Sequence, residues 1–511
     1  MPLDVLVISP MVMKHQSPHS TADGCTFDAA TNFTVKVSTD DGSGTLTALT
    51  VTPAADGHSA RASLPASPRP LRVVVTVTPT GANADRFWEV SGDIQYQGNA
   101  VWGSLATTPV QFQPAPSSFL QGASVTTFLN VWLPRVKDVT DRVLQELSTI
   151  PANRTRWLPT ALTTWKIPPA ATRFVSSPPV DAGAIKVDAA STVDPDTTDL
   201  VFHIKGFKTP QLIAMCWPNA FGFPMGTATA AAGGGGSAPT FLQAAPAPFL
   251  IFFHAQHGQN MPGFYTNGSP WPFGWDLLFF GLYHYLIYSG DVIQSWGSLG
   301  LPIQARHANK NCVVIVPQNK FGSHGPADEI VEFNDPDLVQ EILEEIQVHM
   351  YFRAGKKFTR PSIGRTAAGS MSNGNVLLTQ FLNTKAGKPF LNNILREVYV
   401  FDPNGSDDAL NAAPVDAALS WAKTGPSDKM IRYFAQKAHP VHTRLLGAAP
   451  PTGNFVKDGT NANFTGGVIS STAWLAVGAL DSNGQAQADW QVAHQLIPGM
   501  FLSYAFSKSG F

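Results

Sequence analysis

Between Pro248 and Phe253 the chain reads "PFLIFF", six residues without a polar side chain, and then turns polar in "HAQHGQN". A strand with one wet face alternates apolar and polar residues, whereas a run this uniform must be covered on both faces. Such strands belong to parallel sheets, in which helices make the crossovers. The surrounding sequence follows that demand. "DLVFHIKGF" (199–207), "QLIAMCWP" (211–218) and "NCVVIVPQN" (311–319) read as strands, and "PDLVQEILEEIQVHMYF" (336–352) as an amphipathic helix. Strand and helix then alternate through "SIGRTAAGS", "NGNVLLTQFLNT", "REVYVFDPNG", "PVDAALSWAKT" and "KMIRYFAQ". A strand in "TAWLAVGAL" and a helix in "HQLIPGMFLSYAFSKSGF" complete the pattern. The expectation is an α/β domain over 199–511, a mostly parallel sheet covered on both faces.

The front of the chain obeys a different period. "DVLVISP", "FTVKVSTD", "SARASLP" and "LRVVVTVTP" alternate at period two and are separated by Asp-Gly, Pro and Ser turns. An antiparallel β-sandwich-like accessory module over 1–120 is predicted. Apolar residues after Pro134 fall at helical spacing, and a Pro-rich stretch follows. Residues 121–198 therefore read as a helical and Pro-rich connecting segment. The 511 residues exceed one ordinary core, which agrees with several domains.

Charge narrows the function. Only 14% of residues are charged, the formal net charge is −2, and no basic run exists, which argues against nucleic acid as a partner. Low charge reflects either compositional bias or adaptation to apolar substrates. No stretch of about 18 uninterrupted apolar residues suggests a membrane span. Cys25, Cys216 and Cys312 lie far apart with no metal-binding spacing, and no cofactor or metal is expected. Asp4 stands where an export signal carries positive charge, so the chain reads as cytoplasmic or exported by another route.

In a parallel sheet, reacting groups collect at the carboxyl ends of strands. Three ends here carry suitable chemistry. "GSMSNGN" (369–375) joins a strand to a helix, and a nucleophilic serine on such a turn needs small neighbours two residues away on each side. Ser370 and Ser372 both meet that condition, and the following helix terminus would favour an oxyanion. "FFHAQHGQN" could supply a second oxyanion N–H, from His254-Ala255-Gln256 or His257-Gly258-Gln259. Asp402 ends the next strand, and His494 precedes the last helix, giving the order Ser…Asp…His. Asp481, Asp407 and Asp408 compete as the acid, His439 and His442 as the base.

"Met371-Ser372-Asn373-Gly374" resembles the M-S-N-G-G elbow of the polyhydroxybutyrate-depolymerase and feruloyl-esterase-like branch of the α/β-hydrolase superfamily. "FLIFFHA" is similar to the strand that ends in His-Gly in those enzymes. The resemblance covers about 199–511 and implies an α/β-hydrolase fold and a metal-free serine esterase. Ser370 and Ala255 stand where that branch has glycine. The elbow match favours Ser372 as nucleophile.

The resulting expectation is a serine ester hydrolase using Ser372, His494 and Asp402. Asn373 and Gln256 would form the oxyanion hole, with Ser370 the alternative nucleophile and Asp481 the alternative acid. The aromatic stretch 261–296 and the low charge point to an uncharged apolar ester, a polyester among them. Removal of residues 1–115 should leave small-ester turnover within about tenfold, provided the remainder stays folded. The competing class is a binding or structural protein with a degenerate hydrolase fold.

Overall fold

The structure is a computed structural model and describes residues 4–15, 25–65, 71–87, 89–90, 110–112, 126–141, 175–176, 197–205, 211–221, 225–229, 241–254, 301–318, 335–353, 359–384, 388–403, 408–435, 465–468, 498, 502, 505–507 and 509–510. Two compact units divide the chain. Unit 1 comprises 1–137, 223–245 and 341–362, and unit 2 comprises 138–222, 246–340 and 363–511.

Unit 1 contains two principal sheets. In the first, Asp4–His15 lies between Ala60–Leu64, antiparallel to it, and Thr126–Trp132, parallel to it. In the second, Phe33–Asp40 and Leu71–Pro79 pair antiparallel from Phe33–Pro79 to Asp40–Arg72. Alternation puts Leu6, Ile8, Leu129 and Val131 of the first sheet, with Val37, Val73, Val75 and Val77 of the second, into one buried cluster. That is the layering which period-two patterning demands. The unit extends beyond residue 120, however. Thr126–Trp132 is a strand that completes the first sheet, because Leu129 and Val131 are buried while Phe128 between them and Thr126 is exposed. The expected helix after Pro134 begins instead with a strand, Val136–Asp138.

Unit 2 is built on a ten-stranded sheet. Its strands in chain order are β1 (Val136–Asp138, which the unit boundary cuts after Lys137), β2 (Val175–Ser176), β3 (Thr197–Ile204), β4 (Gln211–Pro218) and β5 (Ala247–Phe253). Then come β6 (Val313–Gln318), β7 (Ile363–Met371), β8 (Leu395–Phe401), β9 (Met430–Ala435) and β10 (Thr465–Val468). Across the sheet the order is β1-β3-β4-β6-β5-β7-β8-β9-β10-β2. The run from β6 through β10 is parallel, and β3-β4-β6 is antiparallel. Phe249 to Phe253 are at most 1% exposed, as a strand covered on both faces requires. The α-helices include α1 (Leu301–His307), α2 (Pro336–Arg353, which the unit boundary cuts after Gln340), α3 (Gly374–Asn383), α4 (Lys388–Asn393) and α5 (Asp408–Ala422).

One consequence of the order locates a crevice. The chain leaves β5 for β6 on one side, then returns to the other side of β5 as β7 and proceeds outward to β8 and β9. The topological switch point lies between the carboxyl ends of β5 and β7, where open α/β sheets bind ligands.

Candidate active site

Three non-glycine residues among those described hold a positive φ: Asn309, Ser372 and Asp402. Ser372, at +52°, directly follows β7, and Asp402, at +35°, directly follows β8. Each left-handed conformation costs on the order of 1–3 kcal/mol and persists only where its surroundings impose it. Here the parallel ladder does so. The Ser372 N–H donates to the Phe401 carbonyl at 3.3 Å, and the Asp402 N–H donates to the Phe434 carbonyl at 2.6 Å. Each strand thus gains one more bond to its neighbour before its backbone turns away.

The turn at Ser372 is tight because α3 begins almost at once. Asn373 is already helical, at φ −66° and ψ −17°, and the Val376 N–H donates back to its carbonyl at 3.0 Å. Gly374 has no alternative in this packing. A Cβ there would meet the Phe253 carbonyl oxygen and stand 2.7 Å from that of His254. The first turn of α3 therefore rests on the carboxyl end of β5, at the switch point. Ser372 is half-buried on this turn, and His254, whose carbonyl oxygen Gly374 faces, is 1% exposed.

The two serines differ in surroundings. Ser370 lies inside β7, opposite Phe253 and Val400, and is fully buried. Its hydroxyl donates to Asn375 Oδ1 at 2.6 Å. Among the described residues, no partner engages the Ser372 hydroxyl. Asp402 is fully buried. Beneath the turn, Phe401 stacks on Phe434, with centroids 5.4 Å apart and an interplanar angle of 11°, and Phe252 tilts against Phe401 at 6.2 Å.

The structure therefore brings Ser372, Asn373 and Asp402 to neighbouring strand ends. His494, Gln256 and Asp481 lie outside the described residues, as do His257, Asp407, His439, His442 and the aromatic stretch 261–296. Asp408 begins α5. The residue that sequence reasoning overlooked is Asn375, which is 2% exposed. Its side-chain Nδ2 donates to the carbonyls of Ser372 at 2.9 Å and Phe401 at 3.2 Å. A polar side chain in the first turn of the otherwise apolar "NVLL" was the available signal.

The chain matches no model of a known protein family and no curated protein.

Proposed function

We propose that the chain is a serine ester hydrolase whose unit 2 is an α/β-hydrolase-type catalytic domain. The observation that carries this reading is Ser372 itself. It is a non-glycine residue in the left-handed region, on a strand-to-helix turn, with Gly374 pressed onto the adjacent strand end at a topological switch point. The strand order, with the serine-bearing β7 central in the parallel run, supports the same reading.

In this reading the Ser372 hydroxyl oxygen attacks the ester carbonyl, and His494 takes its proton. The tetrahedral oxyanion is held by the N–H of Asn373 and by one from the loop after His254, with Gln256 the candidate. Collapse breaks the bond to the alcohol, which leaves with the proton from His494. Water then releases the acid by the reverse path. Asp402 orients the histidine and stabilises its cation. The substrate class is an uncharged apolar ester, and a hydrophobic polyester fits the low charge and the aromatic stretch.

The test is hydrolysis of 4-nitrophenyl esters of increasing acyl length. Wild type should turn over short to medium chains, faster than charged esters, and Ser372→Ala should lose on the order of 10⁴-fold or more in kcat. Ser370→Ala should retain a fluorophosphonate-reactive serine. A folded wild type with no turnover on any chain length defeats the proposal.

A further inference from the structure

Asn375 grips one carbonyl twice. Its backbone N–H donates to the Ser372 oxygen at 3.0 Å and its side-chain Nδ2 donates to the same oxygen at 2.9 Å. The same Nδ2 reaches the carbonyl of Phe401, the residue before Asp402, at 3.2 Å. Its Oδ1 accepts from the Ser370 hydroxyl at 2.6 Å. The amide orientation follows from its partners, since two carbonyl oxygens can only accept and the hydroxyl is free to donate. One buried amide therefore ties together the inside of β7, the left-handed residue at its end, and the end of β8.

We infer that the Ser370–Asn375 pair is the positioning device of the nucleophile: it holds Ser372 in its strained conformation and keeps it in register with the strand that carries Asp402. This rests on the proposed hydrolase reading, in which Ser372 attacks and Asp402 orients the base. It also assigns Ser370 a role other than nucleophile, because a hydroxyl fully buried inside a strand and donated to Asn375 cannot meet a substrate. These two grips act together with the ladder bond from the Ser372 N–H to Phe401 in holding φ at +52°.

A double substitution separates positioning from folding. Ser370→Ala with Asn375→Leu removes both members of the buried polar pair, with a side chain of similar shape at position 375. Such joint removal is close to neutral for stability. Neither backbone oxygen is orphaned, because Ser372 O keeps the Asn375 N–H and Phe401 O keeps the Ser372 N–H. The expected result is a melting midpoint within about 4 °C of wild type. The kcat on 4-nitrophenyl butyrate should fall about 10- to 100-fold, the scale of losing nucleophile orientation. KM should stay within about twofold, since substrate binding is untouched.

Should the double variant fail to fold, Asn375→Asp carries the test. It keeps the acceptor for Ser370 but turns an oxygen towards two carbonyls. Its kcat relative to wild type should then rise as the pH falls from 9 towards 5 and the carboxyl, raised by burial beside two carbonyl oxygens, takes up a proton and regains one donor. A folded double variant with wild-type kcat, or an Asn375→Asp ratio flat with pH, overturns the inference and leaves the hydrolase reading standing. A wild type that a fluorophosphonate probe does not label overturns both.

Discussion

Gly374 shows how little space the residue scale allows around the turn. A methyl group there runs into the Phe253 carbonyl oxygen, and neither that oxygen nor the His254 oxygen belongs to a flexible side chain. Gly374→Ala must therefore push α3 off the end of β5. We expect a loss of about 1–3 kcal/mol in unfolding free energy, the usual cost of overpacking. In the proposed hydrolase, ester turnover should fall further than that loss implies, because the displaced helix directly follows Ser372 and Asn373. Denaturant titration and initial rates on the same preparation check both parts.

At the scale of elements, two buried carboxylates hold strands and helices together. In unit 2, Glu397 on β8 is fully buried and accepts from Tyr399 Oη at 2.6 Å and from the Gly510 N–H at 2.7 Å. It also pairs with Arg365 at 3.3 Å and with Arg432, itself 1% exposed, at 3.6 Å. Glu397→Ala removes the buried carboxylate that faces both Arg432 and Arg365, which should cost about 3–5 kcal/mol in denaturant unfolding.

In unit 1, Glu345 accepts N–H bonds from Arg135 at 2.6 Å and Val136 at 3.2 Å, and its other oxygen faces Arg86 at 3.4 Å. Burial pushes its carboxyl up to about 7 against an ordinary value of 4.5, with Arg86 pulling the other way and Glu341 adding to the rise. A folded value above the unfolded one means stabilisation that is complete below about pH 4.5 and is lost as the pH climbs through 7. The unfolding free energy of wild type relative to Glu345→Gln should therefore decline between pH 5 and pH 8. A difference that rises or stays flat refutes that assignment.

For the whole molecule, the first strand decides what can be removed. Asp4–His15 sits between two neighbours, and its partner Thr126–Trp132 carries Leu129 and Val131 into the core of unit 1. Deleting residues 1–115 strips that strand of its pairing and uncovers both side chains. The fragment is expected to aggregate or to lose its cooperative transition, which size-exclusion chromatography and thermal melting would register. Small-ester turnover within about tenfold of the full chain is expected only where the remainder stays folded, and the loss of this pairing works against that condition. A monomeric fragment with a sharp melt would meet it.

Much of this architecture was legible in local pattern, because period alone reports which faces are covered. "PFLIFF" announced a doubly covered strand, and every described strand from β5 to β9 falls where the alternation of patterns put it. Helix limits were less legible. α5 begins at Asp408 rather than at Pro414, since a proline within a helix reads as a start when only the sequence is visible. Around the elbow, composition allowed two serines in two registers, both with small neighbours. The match to a known elbow favoured Ser372, but only the tertiary structure gives the two serines different surroundings: pairing with β5 and β8 buries Ser370, and the carboxyl end of β7 turns Ser372 into the left-handed region, at the strand end that neighbours Asp402. The reach of Asn375 to Phe401, 26 residues away, belongs to the same category. A hydrogen bond between strand ends depends on which strands are neighbours, and strand order is a property of the folded sheet that no local stretch of sequence encodes.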